Sequence, residues 1–323
     1  MKKSYYLGVD VGSVSTNIVL VDDNRELVYR DYLRTMGQPI RVIQEGIRAL
    51  RSRMGDIDIK GAGATGSGRN LAGIIIGADI VKNEITAHAV AALHINPEVK
   101  TILEIGGQDS KIIILRDGIV SDFAMNTVCA AGTGSFLDRQ ASRLGIPIEE
   151  FGALALKSTA EVRIAGRCAV FAESDMIHKQ QLGHKTEDII LGLCSALVRN
   201  YLNNLGKGKE ILEPVIFQGG VAANCGIVKA FEKELGLEVN VPPHHDVMGA
   251  IGAALLSADA AERKGYTSFT GLDIVECEFS VRPLDCKGCA NLCEVIEIMK
   301  NGEAVACWGD RCGRWSNRMT KLA

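Results

Sequence analysis

Short apolar runs separated by small polar loops occur twice in this chain, in the same order. The first copy predicts a strand ending in Asp10, the loop 11–16, a strand over Asn17–Val21, a turn at 22–25 and a third strand. The second copy predicts a strand over 101–104, the loop 105–110, the strand Lys111–Leu115, a turn at 116–118 and the strand Ile119–Met125. Because both copies have an acidic strand end before a Gly/Ser loop, the sequence predicts two similar α/β halves around a cleft.

Apolar positions with helical spacing predict the elements between and after these copies. The predicted helices cover Pro39–Met54, Ile85–Ile95, Gly134–Leu144, Ala169–Leu182, Thr186–Leu205 and Asp246–Ala261, and further strands cover Ile57–Ala62 and the run before Gly219. We expect Thr186 to be the N-cap of its helix. The predicted domains are 1–98 with 247–264, 99–246, and a C-terminal segment 265–323.

Composition narrows the functional classes. The 323 residues are 47% hydrophobic and 23% charged with a net charge of -3, which predicts folded domains and disfavours a nucleic-acid partner. No apolar run approaches the roughly 18 residues that span a membrane, and we expect no signal peptide. We therefore expect a cytoplasmic protein, where ten cysteines indicate metal or redox chemistry rather than disulfides.

The acidic strand ends and their loops suit magnesium triphosphate. Small residues let backbone N–H groups approach phosphate, while a carboxylate holds the metal directly or through water. One such loop alone would be an ordinary hairpin turn. Two facing copies, with a third glycine pair at Gly219-Gly220, favour a nucleotide site, and no P-loop motif is present.

Cys129 and Cys168 each precede a predicted helix. Unpaired N–H groups at a helix start favour a thiolate. One chain offers two ligands here, whereas a four-iron cluster takes four, and a twofold dimer would supply the other pair. The alternative is two buried, inert cysteines.

Three motifs carry a family resemblance, namely Leu103–Lys111, Asn126–Gly134 and Gly166–Phe171. They resemble 2-hydroxyacyl-CoA dehydratase activators and benzoyl-CoA reductase ATPase subunits, within the acetate and sugar kinase, Hsp70 and actin superfamily. The resemblance covers about residues 4–262. It implies duplicated actin/Hsp70-like (ribonuclease H-like) α/β domains around an ATP cleft, and a homodimer that holds one [4Fe-4S] cluster through Cys129 and Cys168 of each subunit.

The resemblance also implies roles for residues of the cleft. Glu104, Gln108 and Asp10 are the candidates for Mg²⁺ binding or water positioning, and Glu84 is a weaker one. The implied ATP/ADP contacts are Asp10, Gly12, Ser13, Ser15, Thr16, Gly107, Gln108, Gly134, Gly219 and Gly220.

The function implied is ATP-driven electron transfer. A ferredoxin or flavodoxin would reduce the dimer, and ATP binding and hydrolysis would drive one low-potential electron into a partner iron–sulfur metalloenzyme. A small-molecule kinase of the same superfamily is the main alternative, although it leaves the cysteines unexplained. A nucleotide-switched binding or chaperone module is the second.

The C-terminal segment adds five cysteines within a short stretch, together with both tryptophans, Trp308 and Trp315. We expect a small module that holds Zn²⁺ or a second iron–sulfur cluster. The preferred ligands are Cys286, Cys289, Cys293 and Cys312, with Cys307 as a substitute, although five free cysteines are the simpler alternative. The module resembles segments of longer activators, including reductases that feed double-cubane cluster proteins.

The remaining cysteines and histidines that could bind a metal are not assigned to a metal site. Cys194 is expected in the core of its helix, Cys225 is undecided, and His244-His245 are expected in a solvated loop rather than at a metal.

Overall fold

The computed structural model describes residues 4–126 and 129–316, so Thr127 and Val128 of the second motif lie outside the described residues. Its first five-stranded sheet has the order β3-β2-β1-β4-β5. The strands are β1 (Ser4–Val11), β2 (Ser15–Asp22), β3 (Leu27–Arg34), β4 (Asp58–Thr65) and β5 (Ile80–Val81). β1 runs antiparallel to β2 and parallel to β4.

The second sheet repeats this topology in the order β10-β9-β6-β7-β8. Its strands are β6 (Thr101–Ile105), β7 (Ser110–Arg116), β8 (Ile119–Asn126), β9 (Val215–Gln218) and β10 (Val239–Asn240). Here β6 takes the place of β1, since it is antiparallel to β7 and parallel to β9. The predicted duplication is confirmed, and it puts Asp10 and Glu104 near equivalent strand ends.

Nine α-helices surround these sheets in the described part of the chain. They are α1 (Pro39–Met54), α2 (Arg69–Ile76), α3 (Glu84–Ile95), α4 (Gly134–Leu144), α5 (Ile148–Ala155), α6 (Ala169–Gln181), α7 (Thr186–Tyr201), α8 (Cys225–Leu235) and α9 (Met248–Lys264). α3 and α9 share one buried apolar cluster with residues of both sheets, including Val19 and Ile113. These two helices therefore join the two halves behind the cleft.

The helix predictions were accurate where the apolar spacing was regular. α1 and α4 have the predicted bounds, whereas α9 starts two residues late, at Met248. The prediction that Thr186 caps α7 was wrong, because Lys185 occupies the N-cap and its side chain makes no capping hydrogen bond. α2, α5 and α8 were not predicted.

The C-terminal module is a three-stranded sheet of β11 (Phe279–Asp285), β12 (Glu294–Lys300) and β13 (Glu303–Trp308). The segment that leads into it docks on α1, where Gln44 Nε2 donates to the carbonyls of Ile274 and Cys277 at 2.9 and 2.8 Å. The module is thereby attached to the first half. Within the described residues, no helix has the length and apolar character needed to cross a membrane.

Candidate functional site: a nucleotide cleft and a cysteine surface

A cavity of about 240 Å³ lies between the two sheets, at the loops that follow β1, β6 and β9. The duplicated topology brings these loops together, because β1 and β6 end at the same side of the molecule. Most of the predicted cleft residues line this cavity: Asp10, Gly12, Ser13, Ser15, Glu84, Glu104, Gly107, Gln108, Gly219 and Gly220.

Two predicted contacts lie elsewhere. Gly134 lines an adjoining cavity of about 480 Å³ with a more apolar wall that includes Leu137 and Ile148. The side chain of Thr16 is fully buried, and its Oγ1 lies 3.0 Å from Thr35 Oγ1. Thr16 therefore supports the first loop from behind and does not line the cavity.

Lys111 organises the carboxylates at the base of the cleft. Its Nζ lies 2.8 Å from Glu84 Oε2, 2.9 Å from Glu104 Oε2 and 3.0 Å from Asp109 Oδ2. Lys111 is buried and pairs with Glu104 across β6 and β7. Burial works against the charge of Lys111, but the three carboxylates outweigh it and raise its pKa. The lysine is therefore a fixed positive charge.

The pKa values of two of the carboxyls in the cleft are raised, which favours their neutral form. Burial, followed by the charge of Glu84, raises the pKa of Asp10 to about 7. Burial also raises the pKa of Glu104 to about 7, although Lys111 opposes it. Two carboxyls in one cleft thus titrate near neutrality, where a bound cation would favour their ionised forms.

His88 is a neutral member of the same site. Burial and the nearby Lys111 lower the pKa of His88 to about 3. Its Nδ1 lies 2.9 Å from Gln218 Nε2, and Gln218 pairs with Glu104 across β9 and β6. The imidazole is thus available for hydrogen bonding but carries no charge.

Two glycines are required by the close packing around the carboxyls. A Cβ on Gly249, in the first turn of α9, would lie 2.2 Å from Asp10 Oδ2. Gly219 has φ +91°, and a Cβ there would lie 2.4 Å from the Ile105 carbonyl oxygen. The backbone therefore approaches both acidic strand ends closely, as phosphate binding through N–H groups requires.

The sequence predictions missed several residues of this cleft, including Lys111, Asp109, His88 and His245. His245 lies in a loop as expected, but it is half-buried and its Nδ1 lies 2.9 Å from the Gly219 carbonyl oxygen. Lys111 could have been found, since a charged residue opposite Glu104 in a hairpin predicts an ion pair. The place of His88 depends on tertiary packing.

Cys129 and Cys168 both lie at helix starts, as predicted. Cys129 precedes a short 3₁₀ helix over Ala130–Gly132, and Cys168 is the N-cap of α6. Both thiols are half-buried, whereas Cys194 is fully buried in the core, as predicted, and burial raises the pKa of its thiol to about 12. The two cysteines are therefore partly accessible to solvent.

The second phosphate loop is bonded directly to the helix that follows Cys129. The first two amides of α4, from Gly134 and Ser135, donate to the carbonyls of Gly106 and Gly107 at 2.9 Å each. Ser135 Oγ also donates to the Gly107 carbonyl. A displacement of this loop by nucleotide would therefore be transmitted to α4.

The C-terminal cysteines divide into two groups. Cys286 and Cys307 are buried and Cys293 packs against them, whereas Cys289 and Cys312 are exposed. In residues 4–126 and 129–316, no three His, Cys, Asp or Glu side chains form a group that could hold a metal ion. Two of the four preferred ligands, Cys286 and Cys293, therefore lie in one cluster with Cys307, the predicted substitute.

Comparisons with known proteins show relatives of the whole ATPase region. The chain is 38% identical over 264 residues to the (R)-2-hydroxyglutaryl-CoA dehydratase activating ATPase of Acidaminococcus fermentans, covering 80% of this chain and 99% of the relative. The structure of the 2-hydroxyisocaproyl-CoA dehydratase activator from Clostridium difficile, with bound ADPNP, matches at a TM-score of 0.74 and 34% identity, covering 81% of this chain and 97% of that one.

A solved structure with much lower sequence identity has a similar fold. A ROK family glucokinase from Streptomyces griseus matches at a TM-score of 0.52 and 12% identity, covering 79% of this chain and 99% of that one. The fold is thus the duplicated α/β fold of actin, Hsp70 and the sugar kinases, as predicted, with an added three-stranded sheet. Residues 7–257 match the BadF/BadG/BcrA/BcrD ATPase family. The chain belongs to this family of ATPases.

Proposed function

We propose that this ATPase is a reductive activator, which couples ATP binding and hydrolysis to the transfer of one low-potential electron into a partner metalloenzyme. The observation that carries the proposal is the pair of accessible cysteines, Cys129 and Cys168, at helix starts beside a nucleotide cleft. An ATPase with no redox role would not need two thiols in these positions.

The cysteine pair favours a homodimer. Two thiolates from each of two subunits would complete a [4Fe-4S] site on a twofold axis. When bound, this cluster would accept and release one electron. The N–H groups at the starts of the 3₁₀ helix and α6 would stabilise the negative charge on its sulfurs.

Binding of nucleotide would change the surroundings of the cysteine pair through α4. Asp10 would hold Mg²⁺, Glu104 and Gln108 would position water or metal, and the glycine pairs would bind the phosphates. Because α4 starts on the carbonyls of Gly106 and Gly107, movement of that loop would change the surroundings of Cys129. For a one-electron couple, about 1.4 kcal/mol of such strain corresponds to roughly 59 mV.

The relatives suggest the class of partner. Three are named as activators of 2-hydroxyacyl-CoA dehydratases. We propose an acceptor of this kind or a double-cubane cluster protein, with a ferredoxin or flavodoxin as donor, in the cytoplasm. We also propose domain boundaries at 1–98 with 247–264, 99–246 and 265–323.

The C-terminal module lies beyond the family match, and we propose that it holds Zn²⁺ or a second iron–sulfur cluster. Cys286, Cys293 and Cys307 pack in one small apolar cluster with Val295, so they lie in the same part of the module, although in the described structure they do not form a metal-binding group. Zinc and iron counted in the Cys286→Ser chain should fall relative to Cys277→Ser, a control from the same region. Equal metal content in the two variants would contradict the proposal.

The activity test compares Cys129→Ser with Cys225→Ser, a control because Cys225 is an exposed cysteine at the start of α8. The anaerobic control protein should reduce a low-potential iron–sulfur acceptor when ATP is hydrolysed to free phosphate. Cys129→Ser should bind ATP but lose this reduction. Transfer of phosphate to an added sugar or acid would instead favour the kinase alternative.

A further inference from the structure

Asn200, near the end of α7, is bonded to the segment that carries Cys168. The residue is buried, with 5% of its surface exposed. Its Nδ2 donates to the Gly166 carbonyl at 2.7 Å and, at 3.4 Å, to the Arg167 carbonyl. These are the two residues immediately before Cys168. The Asn200 amide therefore fixes the backbone that leads into this cysteine.

The Oδ1 of the same amide accepts a hydrogen bond from Asn204 Nδ2 at 3.1 Å and lies against the segment that carries Cys129. A Cβ built on Gly132 would lie 2.9 Å from Asn200 Oδ1 and 3.3 Å from Asn126 Nδ2. Asn126 in turn accepts from the Cys129 amide at 2.9 Å and donates to the Cys129 carbonyl at 2.8 Å. Asn200 and Asn126 thus both lie against Gly132, and the two cysteine segments meet at Asn200.

The next residue along α7 reaches the nucleotide cleft. Tyr201 is buried, and its hydroxyl donates to the Lys111 carbonyl at 2.6 Å. The side chain of Lys111 holds Glu84, Glu104 and Asp109 at the base of the cleft. Adjacent residues of one helix therefore contact the carboxylate network and the cysteine segments.

We propose that Asn200 is a positioning residue that holds the Cys129 and Cys168 segments in one relative geometry, and that Tyr201 links this geometry to the nucleotide cleft. The role of this link depends on the proposed electron transfer. The hydrogen bonds that form it are present in the structure whether or not that proposal is correct. α4 connects the cleft to Cys129 and, through the ion pairs of Arg139 and Arg143 with Glu173, to α6, whereas α7 hydrogen-bonds the segment before Cys168 directly.

The first experiment measures amide hydrogen exchange in the full chain, isolated anaerobically, with and without ADPNP. Asn200→Ala should speed exchange about tenfold in 164–168, where the buried hydrogen bonds to Gly166 and Arg167 are lost, and in 129–132, where Gly132 loses its packing contact. Asn200→Asp keeps the side-chain volume and removes the Nδ2 donor, so it should have the same effect if the alanine variant folds poorly. Asn203→Ala, an exposed amide in the next turn, is the control and should match the unmodified chain.

Tyr201→Phe should leave the basal exchange of the cysteine segments unchanged but reduce the change that ADPNP causes there. Removal of the hydroxyl keeps the packing of the ring and breaks its bond to Lys111. An unchanged nucleotide response in Tyr201→Phe, or control-like exchange in both Asn200 variants, would overturn the inference.

The second experiment measures iron content and the midpoint potential of the same variants by EPR-monitored titration. Both Asn200 variants should lose iron or shift the potential, whereas Asn203→Ala should do neither. If the unmodified chain holds no iron, the proposed function fails while the exchange result still tests the link. If it holds iron and the Asn200 variants keep the same iron content and potential, the positioning role is wrong.

Discussion

The nucleotide cleft and the cysteine surface differ in how much of each site one chain supplies. In the cleft, a buried lysine is surrounded by three carboxylates, and glycines close the packing around Asp10 and Glu104. At the other surface, two half-buried thiols lie at helix starts, and the described part of the chain offers no metal-binding group of three. The cleft is therefore an intramolecular site, whereas we propose that the cysteines form half of an intermolecular one.

The largest expected effect tests whether the ion-pair network of the cleft stabilises the fold of a single chain. Lys111→Met removes the cation from between Glu84, Glu104 and Asp109, and it should lower the free energy of unfolding by about 3–5 kcal/mol because buried carboxylates lose their partner. Lys60→Met, which removes a surface ion pair with Asp58, should cost far less. Urea unfolding measures both. Equal losses would show that the network does not stabilise the fold.

The second prediction concerns pH and the cleft alone. A carboxyl whose pKa is raised by folding stabilises the fold at low pH and loses that contribution as the pH rises through the folded value, here about 7 for Asp10 and Glu104. Cation binding favours the opposite, ionised form. The affinity for Mg²⁺–ADP should therefore rise about tenfold from pH 6 to pH 8.

Calorimetric titration of Asp10→Asn provides the check. This variant should bind Mg²⁺–ADP more weakly and with a flatter pH profile, whereas Asp58→Asn should keep the full dependence. A profile that is equally steep in both variants would rule out Asp10 as the titrating group.

The smallest expected effect concerns the cysteine surface. In the cluster-free chain, Cys168→Ser should change the free energy of unfolding by less than about 0.5 kcal/mol, because the thiol is accessible and replaceable. Cys194→Ser, in the core of α7, should cost about 1–3 kcal/mol because a hydroxyl is buried there. Thermal unfolding measures both. A large loss in Cys168→Ser would mean that this cysteine is a packing residue of the chain.

The sequence predicted local features well and contacts between distant segments poorly. The Asp10 and Glu104 strand ends, α1 and the places of Cys129 and Cys168 follow from apolar spacing, small residues and family motifs near each position. His88 and His245 enter the cleft only because α3 and the loop before α9 pack against it, and no local pattern carries that information.

The same difference explains what else the sequence did not show. The side chain of Asn200 connects the two cysteine segments, but in the sequence it is one polar residue near the end of a helix. The C-terminal spacing favoured Cys312 as a ligand, whereas packing of the three strands places Cys307 beside Cys286. Side-chain direction in a small sheet depends on register, which the cysteine spacing does not encode.

Iron and sulfide counted per chain in anaerobically isolated protein, together with the mass of the assembly, test the central claim most directly. The account predicts a dimer that holds about four more iron atoms than the Cys129→Ser, Cys168→Ser double variant. The double variant should still bind ATP. An iron content that the two substitutions do not change, or iron in a monomer, would contradict a cluster shared between two subunits.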